Sequence, residues 1–302
     1  MSGGRANLWG ARLVVALPFL WLALFFLAPF LIVAAISLSH ARIGIPPYEP
    51  VVVWRHHWPA ANITFNNFAR LFRDDLYVAA YFGSLKIAAI STLLCLGLGY
   101  PMALAIARAR PDRRNLLLML VILPFWTSFL IRVYAWMGIL KDQGLLNLLL
   151  KSLGIIHHSL VILDTPTAVY IGIVYSYLPF MILPLYATLE RQDPALLEAA
   201  ADLGARPWRT FLSVTLPLSF PGIVAGCLLV FIPAVGEYVI PDLLGGSGSN
   251  MLGKALWDVF ALDRDWPTAS ALAVALLVAL IVPLALLQRV QRRLARTVEA
   301  GS

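Results

Sequence analysis

The chain has 302 residues, 60% of them hydrophobic and only 13% charged, with a formal net charge of +7. Soluble domains average about 25% charged residues, so this composition excludes a soluble globular protein and predicts a polytopic membrane protein. The two cysteines, Cys95 and Cys227, lie in apolar runs with no CxxC or metal-ligand spacing, and read as small buried hydrophobes.

A spanning helix needs about 20 mainly apolar residues. Six segments meet that length: 13–36, 82–107, 115–139, 168–189, 222–240 and 269–287. The first follows Arg5 and Arg12, and its apolar core exceeds the roughly 7–15 residues of a signal-peptide core. It reads as a retained anchor. Between the first two spans, 37–81 contains Trp54, Trp58 and Phe65. A helix-like run from Asn66 to Tyr77 follows, with Phe68, Leu71, Phe72 and Leu76 on one face.

Basic residues orient the spans, because cytoplasmic segments are enriched in Lys and Arg. With the N-terminus inside, the segments 1–12, 108–114, 190–221 and 288–302 carry 13 of the 23 Lys and Arg. Arg108, Arg110, Arg113 and Arg114 form one cluster; Arg289, Arg292, Arg293 and Arg296 form another. The positive balance is thus a topology signal, and nucleic-acid binding is not expected. Both termini are placed in the cytoplasm.

Prolines recur in the spans, at Pro18, Pro29, Pro101, Pro124, Pro179, Pro184, Pro233 and Pro283, where each one bends its helix or frees a carbonyl. In the last outside loop, 241–268, the run from Gly245 to Asn250 lacks the Gly-Lys-Ser/Thr ending of a phosphate loop and reads as a flexible turn. The five histidines, His40, His56, His57, His157 and His158, fall in outside loops with no third ligand at helical spacing. No metal site is expected.

The segment 190–221 is too charged to cross a membrane, holding Asp193, Glu198, Asp202, Arg206 and Arg209. It reads as two short helices. Asp193 is a suitable N-cap and Pro194 a suitable first helical residue. Leu196, Ala200 and Leu203 form an apolar stripe. Gly204 stands where a helix stops in left-handed geometry, Pro207 opens the second helix with Trp208, Phe211 and Leu212, and Pro217 marks the return toward the fifth span. So small an element has no core of its own. Its stripe rests on another protein or on the bilayer surface.

Within it, Glu198, Ala199 and Ala200 are followed after three residues by Gly204 and after nine more by Val214, Leu216 and Pro217. This spacing resembles the coupling loop of ABC-importer permeases, Glu-Ala-Ala, three residues, Gly, nine residues, Ile-x-Leu-Pro, with Val214 for Ile as the one departure. The resemblance extends from about residue 64 to 285. The runs Leu123–Leu140, Ala168–Tyr175 and Val230–Pro241, with 264–271, resemble the polyamine (putrescine and spermidine) branch, and most of all its putrescine permeases. The family implies a type I permease fold: all-α, six transmembrane helices, in a bacterial inner membrane.

By the same resemblance, the chain pairs with a second homologous permease subunit, two copies of a cytoplasmic ABC ATPase, an extracytoplasmic substrate-binding protein and membrane lipid. It has no catalytic residue or cofactor of its own; ATP and Mg belong to the ATPase. Glu198, Ala199, Ala200, Gly204, Val214, Leu216 and Pro217 are the implied ATPase-coupling residues. The expected division is 1–81 as anchor helix and outside loop, 82–287 as permease core containing the coupling loop, and 288–302 as basic tail.

A polyamine pathway needs carboxylates and aromatic faces, since ammonium groups pair with both. Glu237 is the one acid within a predicted span, and intramembrane acids usually line polar cavities. Tyr238 and Asp242 follow it. Trp126, Tyr134, Trp136, Tyr175 and Tyr177 supply aromatic faces. Glu237 is therefore a candidate pathway residue, and equally a candidate ion-pair partner for Arg132; the two roles are compatible. Opine, organic-cation and iron permeases share parts of these runs. A secondary carrier is the rival of another class, although no inverted repeat is visible and such a carrier leaves the cytoplasmic loop unexplained.

Overall fold

A computed structural model describes residues 14, 16–55, 58–278, 280, 281 and 285. The chain forms two compact units: residues up to Val78 together with those from Leu256 onward, and Ala79–Ala255. Helices dominate, as expected, and one two-stranded antiparallel hairpin interrupts them.

In the first unit, α1 spans Ala16–Ser37 and is apolar on every side, with a π turn at Ala23–Leu27. The hairpin β1 (Val52–Arg55) and β2 (Trp58–Ala61) follows, then α2 (Asn66–Arg73). Asn67 donates to the carbonyls of Ser37 and Ser39 at 2.8 and 2.9 Å, which ties α2 to the end of α1. The helix-like run expected through Tyr77 stops at Arg73. Asp74 is extended there (ψ 115°) and its carboxylate caps the next helix by accepting from Leu76 N at 3.0 Å. Trp266 stacks between Tyr48 and Phe260, and Arg70 pairs with Asp265 at 3.3 Å.

The second unit is built on α3 (Asp75–Ala107), which enters it at Ala79, with α7 (Pro166–Leu189) and α10 (Phe220–Val235). Their shared core contains Cys95, Tyr100 and Ile106 from α3, Met181, Ile182 and Leu185 from α7, and Val230 from α10. Both cysteines are free thiols, and Cys95 is fully buried.

Among the described residues, three helices are long and apolar enough to cross a membrane: α1, α3 and α7. Two bent helix pairs bring the number to five if each pair is one span. The predicted single span 115–139, with Pro124 inside it, falls in one of these pairs. α4 (Pro111–Trp126) and α5 (Phe129–Leu140), which continues into α6 (Leu145–Ser152), meet at 90°. The last turn of α4 tightens into a 3-10 turn at Leu123–Trp126, and Thr127 is extended. Thr127 Oγ1 donates to the Pro124 carbonyl at 2.8 Å and fixes the break.

The predicted span 222–240 also stops early. α10 ends at Val235 and α11 (Val239–Leu244) starts afresh. Pro241 accounts for the gap: its ring conflicts with the carbonyl four residues back, at Glu237, and its missing N–H is tolerated only in a first helical turn. α12 (Leu252–Trp257) follows. The sixth predicted span, 269–287, is represented by α13, Trp266–Val278; of its remainder only residues 280, 281 and 285 are described, and the basic tail 288–302 lies outside the described residues.

Candidate functional site

The loop after α7 folds as two helices, α8 (Pro194–Asp202) and α9 (Pro207–Leu218). Asp193 caps α8, its carboxylate accepting from Ala195 N at 2.9 Å. Gly204 ends the helix at φ +74°. Ala205 N donates to Ala200 O at 3.0 Å and Gly204 N to Ala201 O at 2.8 Å, the paired bonds of a Schellman cap. A Cβ at Gly204 would meet no atom within 4 Å, so the glycine serves the backbone angle and not a tight contact. α9 contains a π turn, Phe211–Thr215, and continues through Pro217. The chain turns by 64° at Ser219, two residues beyond the expected return point.

The coupling residues fall into two groups. Val214 and Leu216 are partly buried at the base, where Leu216 and Phe211 pack on the α3–α7 core. Phe211 meets Tyr100 edge-on at 5.5 Å, and the Tyr100 hydroxyl shares a 2.9 Å hydrogen bond with Ser219. Gln192 donates to Thr215 O at 3.0 Å, and Arg114 pairs with Glu190 at 2.9 Å. Glu198, Ala199, Gly204 and Pro217 are exposed, and Ala200 is half-buried. The apolar stripe is uncovered: Leu203 is 89% exposed, Trp208 63% and Leu196 47%. The base is seated and the tip is presented.

The pathway candidates are not gathered at one place. Glu237 is buried, and its partner is Tyr177, whose hydroxyl donates to Oε2 at 2.5 Å. Oε1 accepts from Val239 N at 3.0 Å and Ile240 N at 3.4 Å, so the carboxylate caps α11. α11 in turn lies against α7 at Gly172, where a Cβ would sit 2.8 Å from both Ile240 Cγ2 and Leu244 Cδ1. The expected Arg132–Glu237 ion pair is not formed. Arg132 instead donates to the Pro124 carbonyl, and its guanidinium lies over Phe125 and Phe129, 5.3 and 5.9 Å from their centroids. The α4–α5 bend turns the side chain back over the break, and Glu237 is already satisfied by the α11 cap.

Trp136 and Tyr175 do meet, edge to face at 5.3 Å, and with Arg132 they line a cavity of about 360 Å³. Trp126 and Tyr134 are exposed and outside that lining. Asp242 pairs with Lys254 at 3.3 Å, and Tyr238 is 38% exposed. Sequence reasoning named Tyr177 only as an aromatic face and missed its bond to Glu237. It also missed Gln192 and Arg114 as anchors of the loop. No spacing signal links residues so far apart in the chain.

A family model described as "Binding-protein-dependent transport system inner membrane component" matches residues 96–299. The chain belongs to that family. Among curated members of this transport family, the spermidine/putrescine transport system permease protein PotB of Haemophilus influenzae is 42% identical over 288 residues, covering 95% of this chain and 96% of the relative. PotB of Escherichia coli is 44% identical over 236 residues, covering 78% and 86%. The fold is that of ABC-importer permeases. A bacterial ABC transporter that imports the acidic polysaccharide alginate matches with a TM-score of 0.70 at 18% identity, over 95% of this chain and 99% of that one. The MetNI methionine transporter matches with a TM-score of 0.55, over 72% and 95%.

Proposed function

We propose that this chain is the membrane permease subunit of an ATP-driven importer of polyamines, spermidine or putrescine. The observation that carries the substrate class is the 42% identity with a spermidine/putrescine permease over nearly the whole of both chains. The presented, apolar tip of the 190–221 loop supports the coupling role: Leu196, Leu203 and Trp208 form an uncovered apolar stripe that a docked protein would bury. That partner is a cytoplasmic ATPase in two copies, which supplies ATP and Mg chemistry. A second permease subunit completes the pathway, and an extracytoplasmic binding protein delivers the amine. Both termini are cytoplasmic.

The cycle is alternating access. ATP-driven closure of the ATPases draws the two coupling loops together, and the seated base transmits that movement into α3, α7 and α10. Glu237, held by Tyr177 and the α11 N-terminus, supplies negative potential to the pathway. Specificity among amines rests largely on the binding protein. The test is an uptake panel of radiolabelled putrescine, spermidine, an opine and ferric iron, in cells lacking the gene and in complemented cells. Uptake of a polyamine alone, restored on complementation, supports the reading; gene-dependent uptake of the opine or iron without a polyamine overturns it.

A further inference from the structure

Among the described residues, no acidic side chain pairs with Arg132. Its Nε is buried and, among the described residues, has no hydrogen-bond partner. The guanidinium donates one Nη1–H bond to the Pro124 carbonyl and lies over the faces of Phe125 and Phe129. Neither a carbonyl nor an aromatic ring supplies a full counter-charge. Charged side chains at bilayer depth pair with an opposite charge or face a polar cavity.

The side chain of Arg132 does not reach toward the far end of α5. Arg132 lies eight residues before the end of α5 at Leu140, about 12 Å along the helix at 1.5 Å per residue. Its side chain turns back toward Pro124, away from that end. The guanidinium borders the cavity walled by Thr127, Ile131, Trp136 and Tyr175. The surrounding face of α4–α5 is apolar and uncovered: Trp126 is 74% exposed, Ile131 65% and Tyr134 56%. A polyamine cannot serve as the counter-charge, because its own charge is positive.

We infer that Arg132 receives a carboxylate side chain from the second permease subunit, which covers the α4–α5 face and seats that acid in the cavity beside Trp136 and Tyr175. The inference rests on the importer reading above. It accounts for an arginine beside the aromatic residues of a cation importer: once paired, it presents no net charge to the amine. The pair also ties the α4–α5 break to the neighbouring subunit through the Pro124 carbonyl.

The test uses the intact complex, with a tag on this chain and the second permease subunit quantified after purification. Arg132→Gln is expected to lower its recovery about tenfold, because a buried carboxylate is left unpaired, while Arg132→Lys retains most of it. In the Arg132→Gln background, each intramembrane acid of the second subunit is neutralised in turn. Rescue by one such change supports the pair. Full assembly of Arg132→Gln overturns the inference, as does the absence of rescue by any acid of that subunit. Rescue by Glu237→Gln instead overturns it by placing the counter-charge within this chain. Radiolabelled amine uptake by the unmodified complex is measured alongside. If it imports polyamines while Arg132→Gln assembles normally, the inference fails and the importer reading stands. If it imports no polyamine, the importer reading fails whatever the pairing result.

Discussion

Truncating Leu203 separates the two surfaces on which the coupling stripe can rest. The side chain is 89% exposed at the end of α8, so Leu203→Ala removes almost nothing that this chain itself packs. Changes at such surface sites stay within about 0.5 kcal/mol, and the thermal midpoint of the purified permease is expected to hold. Burial of a leucine by a docked ATPase is worth about 2 kcal/mol. At 1.4 kcal/mol per tenfold, the variant loses about thirtyfold in affinity. The assay is titration of the ATPase onto permease held in lipid nanodiscs, wild type against Leu203→Ala, with melting curves on both. A thirtyfold loss of affinity with an unchanged midpoint agrees with docking. Unchanged affinity refutes it and leaves the loop as an interfacial element lying on the bilayer.

Gly204→Ala meets no steric obstacle, so its cost is the left-handed backbone alone, about 1–2 kcal/mol; faster hydrogen exchange confined to the α8 C-terminus would report it. Gly172→Ala drives a methyl into Ile240 and Leu244 of α11, and overpacking of this kind costs about 1–3 kcal/mol; it lowers the thermal midpoint in detergent. Tyr177→Phe strips Oε2 of Glu237 of its side-chain donor, at about 1–3 kcal/mol for a buried acceptor left unsatisfied, and it too lowers the midpoint. Glu237→Gln keeps an oxygen for the α11 amides and loses the charge. It is expected to assemble normally and to take up putrescine at least about tenfold more slowly, the scale of one charge–charge contact near a protein surface; full uptake with normal assembly removes Glu237 from the pathway.

The helical architecture and the coupling loop were legible because their signals are local. Asp193, Pro194 and Gly204 specify the start and stop of α8 within a dozen residues, and each does in the structure what its chemistry demands. Apolar runs located α1, α3 and α7 to within a few residues at most ends, although α3 begins seven residues before its predicted span. Hydropathy could not reveal the 90° break at Thr127–Ser128, because Leu123 to Leu130 is nearly as apolar as a straight span. Pro124 was visible there, but a proline in a spanning helix is equally consistent with a mild kink. Pro241 ended the 222–240 span early for the same reason: its effect depends on the carbonyl four residues back, a detail that averaging over a window erases.

The site was less legible than the fold. Glu237 stood out as an intramembrane acid, and Arg132 as the charge nearest to its depth. Opposite charge suggested a pair, yet Tyr177 and two backbone amides hold the carboxylate instead. That outcome depends on how α7 packs against the α10–α11 gap, which is tertiary information. The split of the coupling motif into a seated base and a presented tip is likewise invisible in its spacing: Leu216 and Leu203 are the same residue type, and only packing distinguishes them.

ATP-dependent accumulation of radiolabelled spermidine and putrescine in proteoliposomes tests the central claim most directly. The purified complex is reconstituted with ATP in the compartment that the coupling loops face and the binding protein on the opposite side. Accumulation of either amine that needs hydrolysable ATP, and that falls in parallel with ATPase affinity in Leu203→Ala, is the expected result. Accumulation driven by an ion gradient without ATP, or none of either amine, contradicts it.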